Sequence, residues 1–290
     1  LPEAAVPILT LSDADADIST LVYSGLTRRT TDGAVVPDLA EDISLDASRR
    51  VYTVRLKEGV VWHDGEPFSA RDVLFTYELI QNPQSGSMYY TTFQSVKIAS
   101  VDDRTITFTL KEPYGEFLSA LTVGIMPEHV WGEVAPERLR FGKYALRPVG
   151  TGPFAFDTFS KDSTGAVSEY RLKRFDKYIG KLPFIEEVRF VYYPSYESGT
   201  GSEGPVEALR KEHVSSISYV PAIYREKLEK AYLTLYRLPL PQYVALFFRT
   251  DSGFASDITV RKALSLALDK ERVVLDGVAE SVDIVNGPIL

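Results

Sequence analysis

Hydrophobic and polar positions alternate from Val51 to Leu56, with Tyr52, Val54 and Leu56 on one face and Val51, Thr53 and Arg55 on the other. Period-two alternation is the mark of a strand with one face on a core, and Lys57-Glu58-Gly59 ends it in a turn. Val60 to His63 continues as a second short strand that closes on the turn dipeptide Asp64-Gly65. The period then changes. Ser69 stands where it can N-cap a helix, Asp72 three residues on completes a capping box, and Phe68 and Val73 occupy the staple positions. The spacing predicts a helix from Ala70 to Gln81. Val96 to Val101 and the alternating run Thr105 to Leu110, joined by Asp102-Asp103-Arg104, predict a hairpin, with a helix after Pro113.

Upstream, Ile18, Leu21 and Val22 share a helical face within Asp13–Tyr23, and Gly25 stands where a left-handed C-cap would follow. Asp13, Asp15 and Asp17 imitate the start of a calcium loop. Position six is Ile18 instead of Gly and position twelve is Ser24 instead of Glu, so the acids are assigned to the helix dipole. Downstream, strands are expected at Glu169–Phe175, Val188–Tyr193, Leu233–Leu238 and Gln242–Arg249. Helices are expected near Val206–Glu212, at Pro221–Ala231 with proline at N1, and at Val260–Leu268. Strands interleaved with helices argue for an α/β or mixed α+β fold. No repeat of 20 to 50 residues is visible. Ser195–Gly204 reads as a loop. Its Gly199, Gly201 and Gly204 form a GxGxxG pattern, but Pro194–Ser198 separate it from the preceding strand and Pro205 follows, so it is not taken as a dinucleotide fingerprint.

Forty Asp and Glu against thirty-two Lys and Arg give a net charge of −8, the wrong sign for a nucleic-acid surface or an anionic membrane. The apolar run Tyr243–Phe248 falls far short of the roughly 20 residues a membrane helix needs. With no cysteine, disulfides, thiolate metal sites and thiol nucleophiles are all excluded. His63, His129 and His213 are the only histidines and match no zinc-helix spacing. GxSxG, Walker A and SxxK signatures are all absent, so no catalytic residue, metal ligand or cofactor is assigned. The chain is rich in rings, with seventeen Tyr, fifteen Phe and two Trp, which line ligand sites and also fill cores. Tyr89-Tyr90, Tyr192-Tyr193 and Tyr196 are the clusters of interest. The Leu1-Pro2 start, with no Met and no apolar leader, suggests a processed or trimmed product, and a cut is also expected near Leu290.

The block Val51–Gly59, Trp62–Pro67 and Ser69–Val73 resembles the signature of the family 5 extracellular solute-binding proteins, the oligopeptide, dipeptide and nickel receptors of bacterial ABC importers. Val36-Pro-Asp-Leu-Ala40, Pro148-Val-Gly-Thr-Gly-Pro-Phe154, Val260–Leu264 and Ala267–Lys270 agree in order. The resemblance implies a periplasmic-binding-protein-like fold. Residues 1–30 and 150–248 would form the core of lobe I, 31–149 an inserted subdomain, and 249–290 the hinge and the beginning of a truncated lobe II. Gly150-Thr151-Gly152 would be the return crossing from the insertion.

By the same resemblance, Tyr23, Ser24 and Gly25 match a segment whose backbone flanks the bound peptide in the oligopeptide receptors, with Ser24 where some members carry an acid. Tyr219 and Val220 match a second cleft-facing stretch, and Leu246 and Phe247 lie on the hinge strand. Tyr89 and Tyr90 join them as candidate ligand contacts. The carboxylate that anchors a peptide amino terminus would lie beyond Leu290. The turn across Lys211–Ser216 departs from the family pattern. The resemblance implies a monomeric extracytoplasmic receptor for peptides or a related small solute, serving ABC permease subunits and no nucleic acid. Two competitors remain at this point: the sensing domain of a transcription regulator with the same fold, and an enzyme with dispersed carboxylates.

Overall fold

A computed structural model describes residues 1–9, 12–196, 203–228, 233–236, 245–277 and 284–285. The chain divides into two compact units, Leu1–Tyr192 and Tyr193–Leu290.

In the first unit, α1 (Asp13–Val22) is capped by Ser12, whose hydroxyl accepts from the Asp15 N–H. Asp15 does more than face the dipole. It is fully buried, and its carboxylate accepts from the Glu3 N–H at 2.8 Å, the Ala4 N–H at 2.9 Å and the Ser12 hydroxyl at 2.8 Å, which ties the N-terminal segment to the helix start. The expectation that Gly25 caps this helix is corrected. Tyr23 is the C-cap, in extended conformation, with its N–H on the Ser19 carbonyl. Gly25 serves close approach instead, since a Cβ there would stand 2.7 Å from the Thr122 carbonyl oxygen.

Strands β1 (Thr27–Arg29) and β2 (Val35–Pro37) form a two-stranded ribbon. A four-stranded antiparallel sheet follows, built from β3 (Ala40–Leu45), β4 (Val51–Leu56), β5 (Lys97–Asp102) and β6 (Thr105–Thr109) in the order β3-β4-β6-β5. The predicted strand and hairpin are both present, and Tyr52, Val54 and Leu56 of β4 are the buried face. The expected strand Val60–His63 is not formed. A single bridge joins Val61 to Pro67, because Gly65, at φ 96°, turns the chain back on itself and the Trp62 N–H reaches the Glu66 carbonyl at 2.8 Å.

Helix α2 (Ala70–Gln81) has the predicted bounds and capping box, and its face packs on the sheet through Val73, Tyr77 and Ile80. Asp72 accepts from the Ser69 N–H and, 56 residues away, from the Glu128 N–H, both at 3.0 Å. Short helices α3 (Tyr90–Phe93), α4 (Phe117–Ala120) and α5 (Glu128–Trp131) complete this layer. Asp72→Ala would strand two N–H groups at once and is expected to cost about 2 kcal/mol in urea unfolding. Asp72→Asn, which keeps an acceptor, should cost less. Equal midpoints for wild type and Asp72→Ala would refute the assignment.

A second antiparallel sheet, β7 (Phe154–Lys161), β8 (Val167–Arg174) and β9 (Glu187–Val191), runs in chain order. Two hydrophobic cores result. One gathers Ala4, Val6, Ile8, Leu26 and the four-stranded sheet with α2; the other gathers Ala5, Ile18 and Val22 with Phe154, Val167, Tyr170 and Leu172. Between them passes Gly150-Thr151-Gly152. A Cβ on Gly150 would lie 1.9 Å from the Val22 carbonyl oxygen, and one on Gly152 would lie 2.7 Å from it. The Gly152 N–H donates to that same oxygen at 2.8 Å.

In the second unit, α6 (Pro205–Arg210) and α7 (Ala222–Leu228) pack through Val206, Tyr224 and Leu228. Pro221 immediately precedes the helix it was expected to open, and the expected end at Ala231 lies outside the described residues. Helices α8 (Ile258–Ala267) and α9 (Lys270–Gly277) follow, and α8 has no buried residue. The strands expected at 233–238 and 242–249 are absent where residues are described, at 233–236 and 245–249; the remainder of both, and Gly199 and Gly201 of the loop motif, lie outside the described residues.

Candidate functional site

Helix α1 ends at Tyr23, itself in extended conformation, and neighbours hold the Ser24 and Gly25 that follow by their carbonyl groups. The Ile125 N–H donates to the Ser24 carbonyl at 2.9 Å and the Leu39 N–H to the Gly25 carbonyl at 3.0 Å. The Ser24 and Gly25 N–H groups donate to nothing among the described residues. Two adjacent backbone donors are therefore left in a segment whose acceptors are already used.

The side chains here are polar and largely enclosed. Ser24 is 4% exposed and Asp38 is 7% exposed. Burial pushes the Asp38 carboxyl above the usual range, opposed by the positive charges of Lys57 and Arg28 and by contact with the Ser24 hydroxyl. Burial also raises the Tyr178 phenol, reinforced by the Asp38 charge and opposed by Arg28 and by contact with the Ser24 hydroxyl. Ser24, Asp38, Tyr178 and Arg28 thus form one electrostatic group. Sequence reasoning missed Asp38 and Tyr178. Asp38 lies in the motif block Val36–Ala40, which was a signal available for it, whereas Tyr178 comes from the segment between β8 and β9 and has none. The Tyr23 phenol, buried and facing the Trp131 indole, is pushed well above its ordinary value by desolvation.

The other candidates stand elsewhere. Tyr89 is half-buried against the first core, and burial raises its phenol. No hydrogen bond or ring contact joins Tyr89 or Tyr90 to Tyr23–Gly25. In the second unit, the Tyr219 carbonyl accepts from the Tyr196 hydroxyl at 3.0 Å, Tyr196 stacks on Tyr224, and Val220 packs on that unit's core. Leu246 and Phe247 are exposed, the latter by 86%. Tyr192 stacks on Phe190 in the first unit. An open depression of about 530 Å³ on the four-stranded sheet, lined by Ile43, Leu45, Tyr52, Tyr114 and Leu118, contains none of the predicted site residues. Among the described residues no group of three acids or histidines could hold a metal, and no helix is long and apolar enough to cross a membrane.

Solved structures with this architecture are binding proteins. The chain superposes on NikZ of Campylobacter jejuni, crystallised with Ni(L-His), at a TM-score of 0.78 with 26% identity, covering 98% of this chain and 55% of NikZ. It superposes on the oligopeptide-binding protein AppA of Bacillus subtilis, crystallised with a nonapeptide, at 0.72 with 26% identity, covering 93% of this chain and 52% of AppA. The fold is thus that of the periplasmic binding proteins. The chain belongs to the bacterial extracellular solute-binding proteins of family 5, whose model matches residues 34–284. The dipeptide-binding protein of Escherichia coli is 29% identical over 300 residues, which cover 94% of this chain and 53% of that protein. The chain spans about half the length of the curated relatives it matches end to end.

Proposed function

We propose that this chain is the ligand-capturing part of an extracytoplasmic receptor that takes up a peptide, or a related small solute, between two hinged lobes and hands it unchanged to an ABC permease. The observation that carries this reading is the pair of unengaged N–H groups at Ser24 and Gly25. A bound peptide offers carbonyl oxygens to which such an N–H group can donate, so backbone bonding would hold the ligand without reading its side chains. Asp38, Ser24 and Tyr178 lie beside those donors and suit a polar or cationic group on the ligand.

The lobe assignment belongs to the same proposal. Residues 1–30 and 150–248 are read as the lobe I core, 31–149 as the insertion and 249–290 as the hinge and start of lobe II. The division of the first unit into two cores, one centred on the insertion and one joining Ile18 and Val22 to β7 and β8, supports it. Tyr219, Val220, Leu246 and Phe247, with Tyr89 and Tyr90, are carried as further candidate ligand contacts. A ligand touching both lobes would favour their closed arrangement, which the permease would read.

Calorimetric titration of the protein with a pool of short peptides, and separately with a nickel–histidine chelate, tests the reading. Saturable heat with peptides is expected, weakened at least ~10-fold by Gly25→Ala, whose methyl would displace the segment from Thr122 and cost about one hydrogen bond to the ligand. No heat with any peptide, together with saturable binding of the chelate, would overturn the peptide assignment.

A further inference from the structure

The turn at Trp62–Gly65 presents one histidine to the Gly150–Gly152 crossing. The Gly150 N–H donates to His63 Nδ1 at 3.1 Å, and His63 Nε2 lies 3.0 Å from the Gly152 carbonyl oxygen. The backbone N–H of His63 also donates to the Gly150 carbonyl at 2.9 Å. A backbone N–H can only donate and a carbonyl can only accept, so Nδ1 must carry the lone pair and Nε2 the proton. Both ring nitrogens are satisfied only in this neutral tautomer. The edge of Phe175, 4.7 Å between centroids, closes the remaining side.

The crossing in turn bears on α1. Gly152 bonds the Val22 carbonyl, and Gly150 passes so near it that no side chain fits. Val22 is two residues before Ser24. The Tyr23–Gly25 segment is therefore held by Leu39 and Ile125 through its carbonyls and, through Val22, by the crossing that His63 grips.

We propose that His63 is a positioning residue: its neutral ring latches the Gly150–Gly152 crossing against the end of α1, thereby setting the Ser24–Gly25 donors, and a proton on Nδ1 unlatches it. The role in binding rests on the reading of Ser24–Gly25 as ligand-facing; the latch itself does not. Protonation would turn Nδ1 from acceptor to donor, facing the Gly150 N–H head on. Burial pushes His63 down to about 4, against the opposing effects of the Gly152 carbonyl and the Asp64 charge. Asp64, on the same turn, is the one charged group acting on the ring among the described residues. Its carboxylate is engaged by His129 Nε2 at 2.8 Å and the Glu66 N–H at 3.3 Å. Neither α1, the crossing nor the Phe175 segment adds another. An unconstrained histidine titrates near 6.5. The latch is therefore at full strength above that value and weakens as pH falls from about 6.5 toward 4, by about tenfold per pH unit.

Amide exchange, corrected for its intrinsic pH dependence, decides the matter when followed in wild type, His63→Gln and His63→Leu between pH 7.5 and 5. Glutamine offers one acceptor and one donor yet does not titrate. In wild type the Gly152, Leu39 and Ile125 amides should lose protection by about tenfold per unit below pH 6.5, while the amides of the β5–β6 hairpin hold theirs. In His63→Gln the three should stay protected at every pH. In His63→Leu they should be exposed throughout; should that variant fail to fold, the contrast between wild type and glutamine still decides. Identical, pH-independent protection in wild type and His63→Gln would overturn the proposal, as would a proton found on Nδ1 at pH 7.5 by ring ¹⁵N shifts. Failure of peptide titration would leave this result standing and strike only the ligand assignment.

Discussion

Gly150→Ala is expected to unfold the first unit or lower its stability by about 4 kcal/mol or more, among the largest effects of any single methyl in the chain. The added carbon would lie 1.9 Å from the Val22 carbonyl oxygen, 2.7 Å from its carbonyl carbon and 3.0 Å from its side chain. Flexible side-chain ends can step aside, but here the obstacles include the backbone of α1 and the bond it receives from Gly152. Relief would require moving the crossing, and with it the His63 grip and the junction of two cores. Gly115→Ala is the control, because nothing lies within 4 Å of a Cβ there; it should shift stability by no more than about 0.5 kcal/mol. Thermal and urea unfolding of the two variants side by side make the test, and equal midpoints would refute the close approach.

The second large effect is expected at Asp15. Its replacement by alanine removes the acceptor from the Glu3 and Ala4 N–H groups and the Ser12 hydroxyl in a fully buried position. Each stranded donor costs a good part of its desolvation, so a loss of about 3 kcal/mol is expected. Asp15→Asn should recover part of it, because one amide oxygen can still serve both backbone donors. Hydrogen exchange at Glu3 and Ala4 should accelerate before the rest of the unit opens. A loss under about 1 kcal/mol in urea unfolding, with those two amides still protected, would show that the N-terminal segment is held by packing alone.

Much of the fold was legible where local signals were strong. The capping box at Ser69 and Asp72 and the alternation in β4 set their elements to the residue, because cap chemistry and burial of one strand face are local statements. The misses have a common cause. Gly25 was read as a helix cap from its position after α1, while its real constraint, the Thr122 carbonyl, is almost a hundred residues away. Asp13, Asp15 and Asp17 look alike in sequence, but only Asp15 meets the donors of residues 3 and 4. Strand β7 escaped notice, as did β3, since neither shows unbroken alternation. The family could be read from motif blocks, whereas the ligand segment was located only by resemblance. That Ser24 and Gly25 spend their carbonyls and keep their N–H groups follows from Leu39 and Ile125, which no reading of neighbours in sequence reveals.

The segment 4–8 bears on the order in which this protein assembles. Ala4, Val6 and Ile8 point into one core while Ala5 between them enters the other, its N–H on the Ala145 carbonyl at 2.8 Å. The core that Ala5 enters includes Phe154, Val167 and Tyr170, which leave the ribosome long after it does. Ala5 thus finds its core only once Phe154, Val167 and Tyr170 are in place, and a contact of such sequence separation slows folding. Until β7 and β8 are in place, Ala5 has no core to enter, and the unfinished chain is most exposed to aggregation in that interval.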